Sequence, residues 1–157
     1  MTELLYEYLE YRDGVLYWAK SPNSRAPIGS KVGSDCHGYL RFKFKGGNYS
    51  CHRAIYFLHT GELPEVVDHI DGNTLNNKIE NLRAATKSDN KANSKPHKGR
   101  STKGAYRIKS GRYVSVIQKE GVRKYLGVFD TEEEAAMAYA KAASYVHGEF
   151  AKPCIGV

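Results

Sequence analysis

The chain has 157 residues, a hydrophobic fraction of 41% and a formal net charge of +7. This length allows one domain or two small ones, and the composition suffices for a folded core. The first residues are too polar for a signal peptide, and no run approaches the roughly 20 apolar residues that span a bilayer. The three cysteines form no CxxC pair, which favours a reducing compartment. We therefore expect an intracellular, cytoplasmic protein without membrane contact.

Positive charge is concentrated in the second half of the chain. Residues 1–83 hold ten Lys/Arg and ten Asp/Glu, whereas residues 84–157 hold fourteen and seven. The window 91–119 carries nine Lys/Arg and no acidic residue. Such a window is typical of a protein that binds a polyanion, although a solvated basic linker is the simpler alternative.

The N-terminal part predicts a small β-rich layer with short helices. Its expected elements are a helix over 3–10, a turn over 12–14, a strand over 15–18, a loop over 21–31, a hairpin over 38–53 and a helix over 54–61. The hairpin is expected to turn at Gly46-Gly47 and to expose a basic face. Gly61 is expected to end the helix.

The rest of the chain predicts strand, loop, strand and helix, then a basic linker, and finally three strands and a helix. The expected elements are a strand leading into 68–69, a loop over 71–80, a returning strand from 81, a helix capped by Thr86 or Ser88, a linker over 91–104, strands over 104–108, 112–118 and 122–129, and a helix over 131–147. Asp130 or Thr131 is expected to cap the last helix.

Four side chains in the central stretch have the chemistry of a phosphodiester-cleaving site: Asp68, His69, Asn81 and Asn90. An imidazole accepts a proton near neutral pH, and the oxygens of Asp68 and Asn90 suit Mg²⁺ or Mn²⁺. A proton acceptor beside a divalent cation can direct water at phosphorus. Because neighbours on a strand point to opposite faces, Asp68 and His69 share one site only if the strand ends there. Asn81 would either hold the backbone around His69 or orient its imidazole.

Simpler interpretations exist for each of these residues. Taken singly, the Asp, Asn and Gly residues are turn formers and His69 is a strand-end histidine. Asp71 and Asn73 suggest calcium, but the EF-hand spacing is absent. Two Cys-His neighbours, at 36–37 and 51–52, lack the spacing of a zinc site. His52 is interpreted as a helix-start residue rather than a neighbour of His69.

A resemblance to the HNH nucleases is carried by the segment VDHIDGNTLNNKIENLRAATKSDNKAN. These enzymes have a ββα-metal fold, and the likeness is greatest to the phage and intron-encoded homing endonucleases, in which Asn replaces the last His. With the upstream GYLRFKFKGGNYSCHRAIYFLHTGELP, the resemblance covers about residues 14–94. It implies that Asp68 and Asn90 bind one Mg²⁺ or Mn²⁺, that His69 is the general base and that Asn81 supports it. By charge and position, Arg83 is a candidate for contacting a phosphate.

A second resemblance, to the apetala/ethylene-response-factor type of DNA-binding domain, covers about residues 103–151 and centres on YLGVFDTEEEAAMAYAKAA. In that family a three-stranded sheet lies in the major groove of DNA. The resemblance implies DNA contacts from Tyr106, Gln118, Arg123 and Tyr125. Four basic residues nearby are further candidates, namely Arg107, Lys109, Arg112 and Lys124. Because Tyr113 and Tyr125 replace the usual Trp and Val116 replaces an acid, base specificity does not transfer.

Together these patterns predict an α+β chain. They place a ββα-metal HNH nuclease module with a β-rich N-terminal extension over 1–94, a basic linker over 95–103, and a three-stranded antiparallel sheet packed on one helix over 104–151. The expected activity is divalent-metal-dependent cleavage of double-stranded DNA, homing-type, nicking or double-strand cutting, by a monomer or homodimer encoded by a phage or mobile element. The alternatives are a non-catalytic DNA-binding regulator on a decayed nuclease fold, and an RNA-processing nuclease. The sheet disfavours the latter, because the major groove of RNA helices is deep and narrow.

Overall fold

The structure, a computed structural model, describes residues 3–94 and 102–151. It is a mixed α+β fold, as predicted from the sequence, with small antiparallel sheets and four α-helices in these two ranges. The chain divides into two compact units, Met1–Ala85 and Thr86–Val157. Most of the predicted linker, residues 95–101, lies outside the described residues.

The first unit contains three two- or three-stranded sheets and two helices. In chain order its elements are α1 (Glu3–Tyr8), β1 (Leu9–Arg12), β2 (Val15–Trp18), β3 (Ser34–Cys36), β4 (Tyr39–Phe44), β5 (Gly47–Ser50), α2 (Cys51–Thr60), β6 (Val66–His69), a 3₁₀ turn (Ile79–Asn81) and β7 (Leu82–Ala85). The sheets pair as β1-β2, β3-β4-β5 and β6-β7.

The core of the first unit forms between α2 and the β4-β5 hairpin. Alternation along β4 buries Phe42 and Phe44, and Trp18 packs against both rings. Helix α2 supplies the opposite side with Ala54 and Ile55, of which Ile55 is fully buried. Aromatic rings of this size dominate the energetics of a small core.

Two details of this layer differ from the sequence prediction. The β4-β5 turn is centred on Lys45-Gly46, both with positive φ, one residue earlier than predicted. Helix α2 begins at Cys51, three residues before the predicted start, and it ends as predicted at the left-handed Gly61. His52 therefore lies inside the first turn of the helix.

The strand β1 was not predicted, since the sequence pattern favoured a helix as far as residue 10. It pairs with β2 from Leu9 opposite Trp18, and the hairpin turns at Asp13-Gly14. This hairpin reaches the segment 77–79, because the Tyr11 hydroxyl accepts a hydrogen bond from the backbone N–H of Ile79 at 3.1 Å.

The second unit is a three-stranded sheet covered by one long helix, with a short helix before it. Its elements are α3 (Lys87–Asn93), β8 (Ala105–Arg107), β9 (Tyr113–Lys119), β10 (Val122–Phe129), α4 (Glu132–His147) and a 3₁₀ turn (Gly148–Phe150). Helix α4 packs across all three strands, with Ser115 and Ile117 of the central strand buried. Thr86 and Thr131, two of the predicted N-caps, each form a capping box.

Within the described ranges, no helix combines the length and apolar character needed to cross a bilayer.

Candidate active site

Asp68 and His69 are the last two residues of β6, and both are buried. Their exposed fractions are 3% and 4%, and they pair across the sheet with Arg83 and Leu82 of β7. The strand ends there because the backbone N–H of Gly72 bonds the carbonyl of His69 at 2.9 Å and Gly72 takes a positive φ. A turn at this point is what the sequence required for Asp68 and His69 to serve one site.

Asp68 forms a buried ion pair with Arg83. Nη2 and Nε of the guanidinium lie 2.9 Å and 3.0 Å from Oδ2 of the carboxylate. The exposed fractions of the two side chains are 4% for Asp68 and 13% for Arg83. Removing either partner of such a pair leaves an uncompensated buried charge, which typically costs about 3–5 kcal/mol. The predicted contact of Arg83 with a phosphate would be made in addition to its ion pair with Asp68.

His69 makes a hydrogen bond to Asn77, a residue that sequence analysis did not single out. Nε2 of the imidazole lies 2.9 Å from Oδ1 of the amide. Asn77 is 2% exposed, and its Nδ2 has no hydrogen-bond partner in the described part of the chain. Its signal in the sequence is weak, because it stands among four asparagines between residues 73 and 81.

The imidazole of His69 also lies in a group of rings. The ring centroids of His52 and Tyr39 lie 5.0 Å and 6.3 Å from that of His69. His52 is 8% exposed, and burial, followed by the charges of His69, Arg53 and Arg41, lowers its pKa to about 4. His52 is therefore a helix-start residue, as interpreted from sequence, and a neutral neighbour of His69 as well.

Asn81 holds the loop that follows His69. Its amide oxygen accepts the backbone N–H of Asp71 at 3.0 Å, and its Nδ2 donates to Asp71 Oδ1 and to the carbonyl of Asn76. Partial burial raises the pKa of Asp71, but hydrogen bonds from Asn76, Asn73 and Asn81 outweigh it and hold that pKa below its usual value. Of the two roles considered for Asn81, the geometry therefore favours the backbone role, while Asn77 contacts the imidazole.

The two candidate metal ligands lie in different units. Asp68 ends β6, whereas Asn90 is exposed on α3, whose first turn is closed by the Thr86–Asp89 capping box. A carboxylate and an amide oxygen are hard donors that fit Mg²⁺ or Mn²⁺. Across residues 3–94 and 102–151 no group of three or more His, Cys, Asp or Glu is arranged to hold a metal ion.

The second unit contains the four DNA-contact candidates that the resemblance implied and the four basic candidates beside them. All eight are exposed, namely Tyr106, Arg107, Lys109, Arg112, Gln118, Arg123, Lys124 and Tyr125. Arg112 also pairs with Asp130 at 2.7 Å. Tyr106, Gln118 and Arg123 line a cavity of about 660 Å³ whose wall includes Lys87, Lys91, Lys103 and a single acid, Glu120. This concave surface has a basic character.

The segment that contains Asp68 and His69 is similar to known proteins. Residues 49–92 match the family model of HNH endonuclease. An uncharacterized HNH endonuclease of Acanthamoeba polyphaga mimivirus is 38% identical over 110 residues, which cover 68% of this chain and 58% of that protein. The chain thus spans less than two thirds of this relative's length. No solved structure matches this chain. Neither the family model nor the mimivirus relative assigns the second sheet to a family. Residues 49–92 are therefore similar to HNH endonucleases, and all four predicted site residues lie within this segment.

Proposed function

We propose that the chain is a divalent-metal-dependent endonuclease that hydrolyses phosphodiester bonds of duplex DNA. The observation that carries this proposal is the pair of Asp68 and His69 at the end of β6, buried and held by hydrogen bonds, inside the segment that matches HNH endonucleases. A fixed imidazole beside a carboxylate supplies the base and an oxygen donor for this chemistry.

In the proposed reaction His69 accepts a proton from the water that attacks phosphorus. Asp68 and Asn90 would hold one Mg²⁺ or Mn²⁺, and such an ion, when bound, stabilises negative charge on the phosphate. Asn81 keeps the loop after His69 in place. Arg83 keeps the carboxylate of Asp68 in position, and its positive charge would attract a phosphate.

We also propose that the second unit binds double-stranded DNA through its exposed sheet, in the manner of the apetala/ethylene-response-factor type. The support is the exposed set of arginine, lysine and tyrosine side chains and the basic cavity beside them. Attachment to DNA through this unit would raise the local concentration of the nuclease site. One site cuts one strand, so a monomer would nick and a homodimer would make a double-strand break in a homing-type reaction.

The decisive experiment is cleavage of supercoiled plasmid DNA by the full chain with Mg²⁺ or Mn²⁺. We expect nicked or linear product from the wild type, and at least a 100-fold slower reaction from His69→Ala, because general-base catalysis contributes about 10²–10⁴-fold. The control is His59→Ala, which removes an exposed histidine of the same unit. DNA binding by both variants should be unchanged.

Each other outcome identifies a different function. Tight DNA binding with no cleavage in either metal would contradict the enzyme and indicate a DNA-binding regulator. Cleavage of structured RNA but not of duplex DNA would indicate an RNA-processing nuclease. Equal cleavage rates for His69→Ala and the wild type would show that His69 is not the general base.

A further inference from the structure

We propose that the basic cavity of the second unit binds an unpaired nucleotide of single-stranded DNA, with its phosphate on lysine side chains and its base against a tyrosine ring. The described residues that line this cavity of about 660 Å³ all belong to the second unit. The volume lies within the range of about 300–1,000 Å³ that is typical of pockets for small ligands. The binding is independent of the proposed nuclease. Only its use, to hold a strand that cleavage has released, rests on that function.

Helix α3 supplies the phosphate side of the cavity. Lys87 and Lys91 are four residues apart, so they lie on the same face of the helix, and both are exposed and line the cavity. Arg123 of β10 adds a further cation, whereas Glu120 is the single acid among the described lining residues. Lys and Arg are the side chains that bind phosphate groups, so this wall suits a phosphodiester.

The backbone that carries these lysines is fixed at both ends of α3. At the end of the helix, the ammonium group of Lys103 donates to the backbone carbonyls of Lys91 and Ala92. At its start, Ser88 Oγ accepts the backbone N–H of Glu120 at 3.2 Å. The phosphate side is therefore in place before a ligand arrives, which reduces the entropy that binding must remove.

Two tyrosine rings supply the side of the cavity that suits a base. Tyr106 of β8 is 37% exposed, and both it and Tyr139 of α4 line the cavity. A Cβ on Gly104 would overlap the ring of Tyr139, so this ring lies directly on the backbone of the segment before β8. Stacking of bases on aromatic side chains, beside a basic groove for the phosphates, is the way in which single strands are bound without regard to sequence.

The rings favour an unpaired strand over a duplex. A base in a duplex is stacked and paired, so a duplex presents only its phosphates and groove edges to a protein surface. An unpaired nucleotide presents the face of its base as well. Five of the eight candidates for duplex contact lie outside the cavity, namely Arg107, Lys109, Arg112, Lys124 and Tyr125.

The first test is the affinity of the full chain for a labelled short oligothymidylate, measured by fluorescence anisotropy in EDTA so that no strand is cut. Lys87→Gln with Lys91→Gln should weaken this affinity by at least about 10-fold, and the affinity for a labelled duplex much less. The charge-matched control is Lys109→Gln with Lys124→Gln, two exposed lysines of the same unit outside the cavity. It should lower duplex affinity and leave single-strand affinity nearly unchanged.

Two results of this test would overturn the proposal. Equal losses of single-strand affinity in the two double variants would indicate attraction by net charge alone. Equal losses of single-strand and duplex affinity in the Lys87 and Lys91 variant would show that the cavity does not distinguish an unpaired strand.

The tyrosine ring has its own test. Tyr106→Leu should weaken binding of the oligothymidylate by about 10-fold, the loss expected when one stacked base loses its ring, whereas Tyr106→Phe should bind nearly as the wild type does. The matched control is Tyr145→Leu, which removes an 83% exposed ring of α4 outside the cavity and should bind normally. Wild-type affinity for the double variant Tyr106→Leu with Tyr139→Leu would overturn the proposal.

A competition experiment distinguishes a DNA strand from a free nucleotide. Unlabelled oligothymidylate should displace the labelled strand at a far lower concentration than thymidine monophosphate does, because neighbouring phosphates of a strand meet further cations. Displacement at equal concentrations would overturn the strand and indicate a small nucleotide as the ligand. Since EDTA excludes cleavage, a failure of the proposed nuclease activity would not alter these results, and a failure here would leave that activity untouched.

Discussion

His52 is a buried histidine that stays neutral at physiological pH. Removal from water penalises its charged form, and His69, Arg53 and Arg41 add unfavourable positive charge, so its pKa falls to about 4. In the unfolded chain this residue would have an ordinary pKa of about 6.5. The folded state therefore binds fewer protons than the unfolded state between these two values.

This difference predicts a loss of stability in acid. At pH above about 6.5 both states are neutral at His52 and the residue makes no pH-dependent contribution; as the pH falls to about 4 the unfolded state gains the proton first. The free energy of unfolding should fall by up to about 3 kcal/mol over that window from His52 alone. Urea unfolding between about pH 4 and 7 measures it.

The matched variants for this prediction are His52→Phe and His59→Phe. His52→Phe keeps a ring against Tyr39 and His69 but cannot titrate, so the acid-side slope should flatten. His59→Phe replaces an exposed histidine of the same helix and should keep the wild-type slope. Equal slopes for His52→Phe and the wild type would show that His52 is not the group responsible.

At the residue scale the sequence singles out the candidate site residues Asp68 and His69 but not the side chains that they contact. Asp68 and His69 stand out because a carboxylate and an imidazole precede a turn. Asn77 does not, because four amides occur within the same nine residues and only the folded loop shows which of them meets Nε2. The ion pair of Asp68 with Arg83 follows from the register of β6 and β7. The separation of fifteen residues along the sequence does not determine that register.

At the scale of elements, the β1-β2 hairpin lies against the segment 77–79 at one glycine. Gly14 has a φ of +84°, and a Cβ there would make a tight contact of 3.1 Å with the backbone nitrogen of Lys78. Strand β1 was missed in the sequence because LEYR is short and polar, and its pairing with β2 is what makes it a strand. The caps at Thr86 and Thr131 were predictable, because their capping partners follow three residues later. Ser50 makes no side-chain cap, which explains the misplaced start of α2.

Gly14→Ala should weaken both the fold and the site. A left-handed backbone costs an alanine roughly 1–2 kcal/mol, and its methyl group would also push the segment that holds Asn77. We expect a lower free energy of unfolding in urea and slower DNA cleavage at saturating metal.

The control for that variant is Gly29→Ala. Gly29 has nearly the same φ, +79°, but an added Cβ would meet nothing within 4 Å. It should show the backbone cost alone, with a normal cleavage rate per folded molecule. If the two variants cleave equally fast, the hairpin does not position the loop.

At the scale of the whole molecule, the net charge of +7 lies in the half that contains the second sheet. The first 83 residues are balanced between acids and bases, so their charge gives little attraction to DNA. DNA releases counterions when a cationic side chain of the protein neutralises a phosphate. The affinity for DNA therefore falls as the salt concentration rises.

Replacing Arg123 and Lys124 together by Gln should therefore weaken binding to all duplex sequences. The logarithm of affinity should depend less steeply on the logarithm of salt, by about one unit for each phosphate that the protein no longer neutralises. Fluorescence anisotropy with labelled duplex DNA measures both. Arg12→Gln with Lys20→Gln removes the same charge from the first unit, where each cation is paired with an acid, and should leave the slope unchanged. Equal slopes for the two double variants would locate DNA binding elsewhere.

Most of helix α3 lies within the segment that matches HNH endonuclease, but the helix packs in the second unit. The match to HNH endonuclease runs to residue 92, while α3 contacts α4, and Ser88 accepts a hydrogen bond from the β9-β10 turn at Glu120. Seven residues do not hold a helix in water without such support. A gene fusion that kept residues 1–94 and exchanged the rest would inherit Asn90 without the surface on which its helix folds. In evolution and in engineering, the second unit would then be replaceable only by a domain that rebuilds that surface.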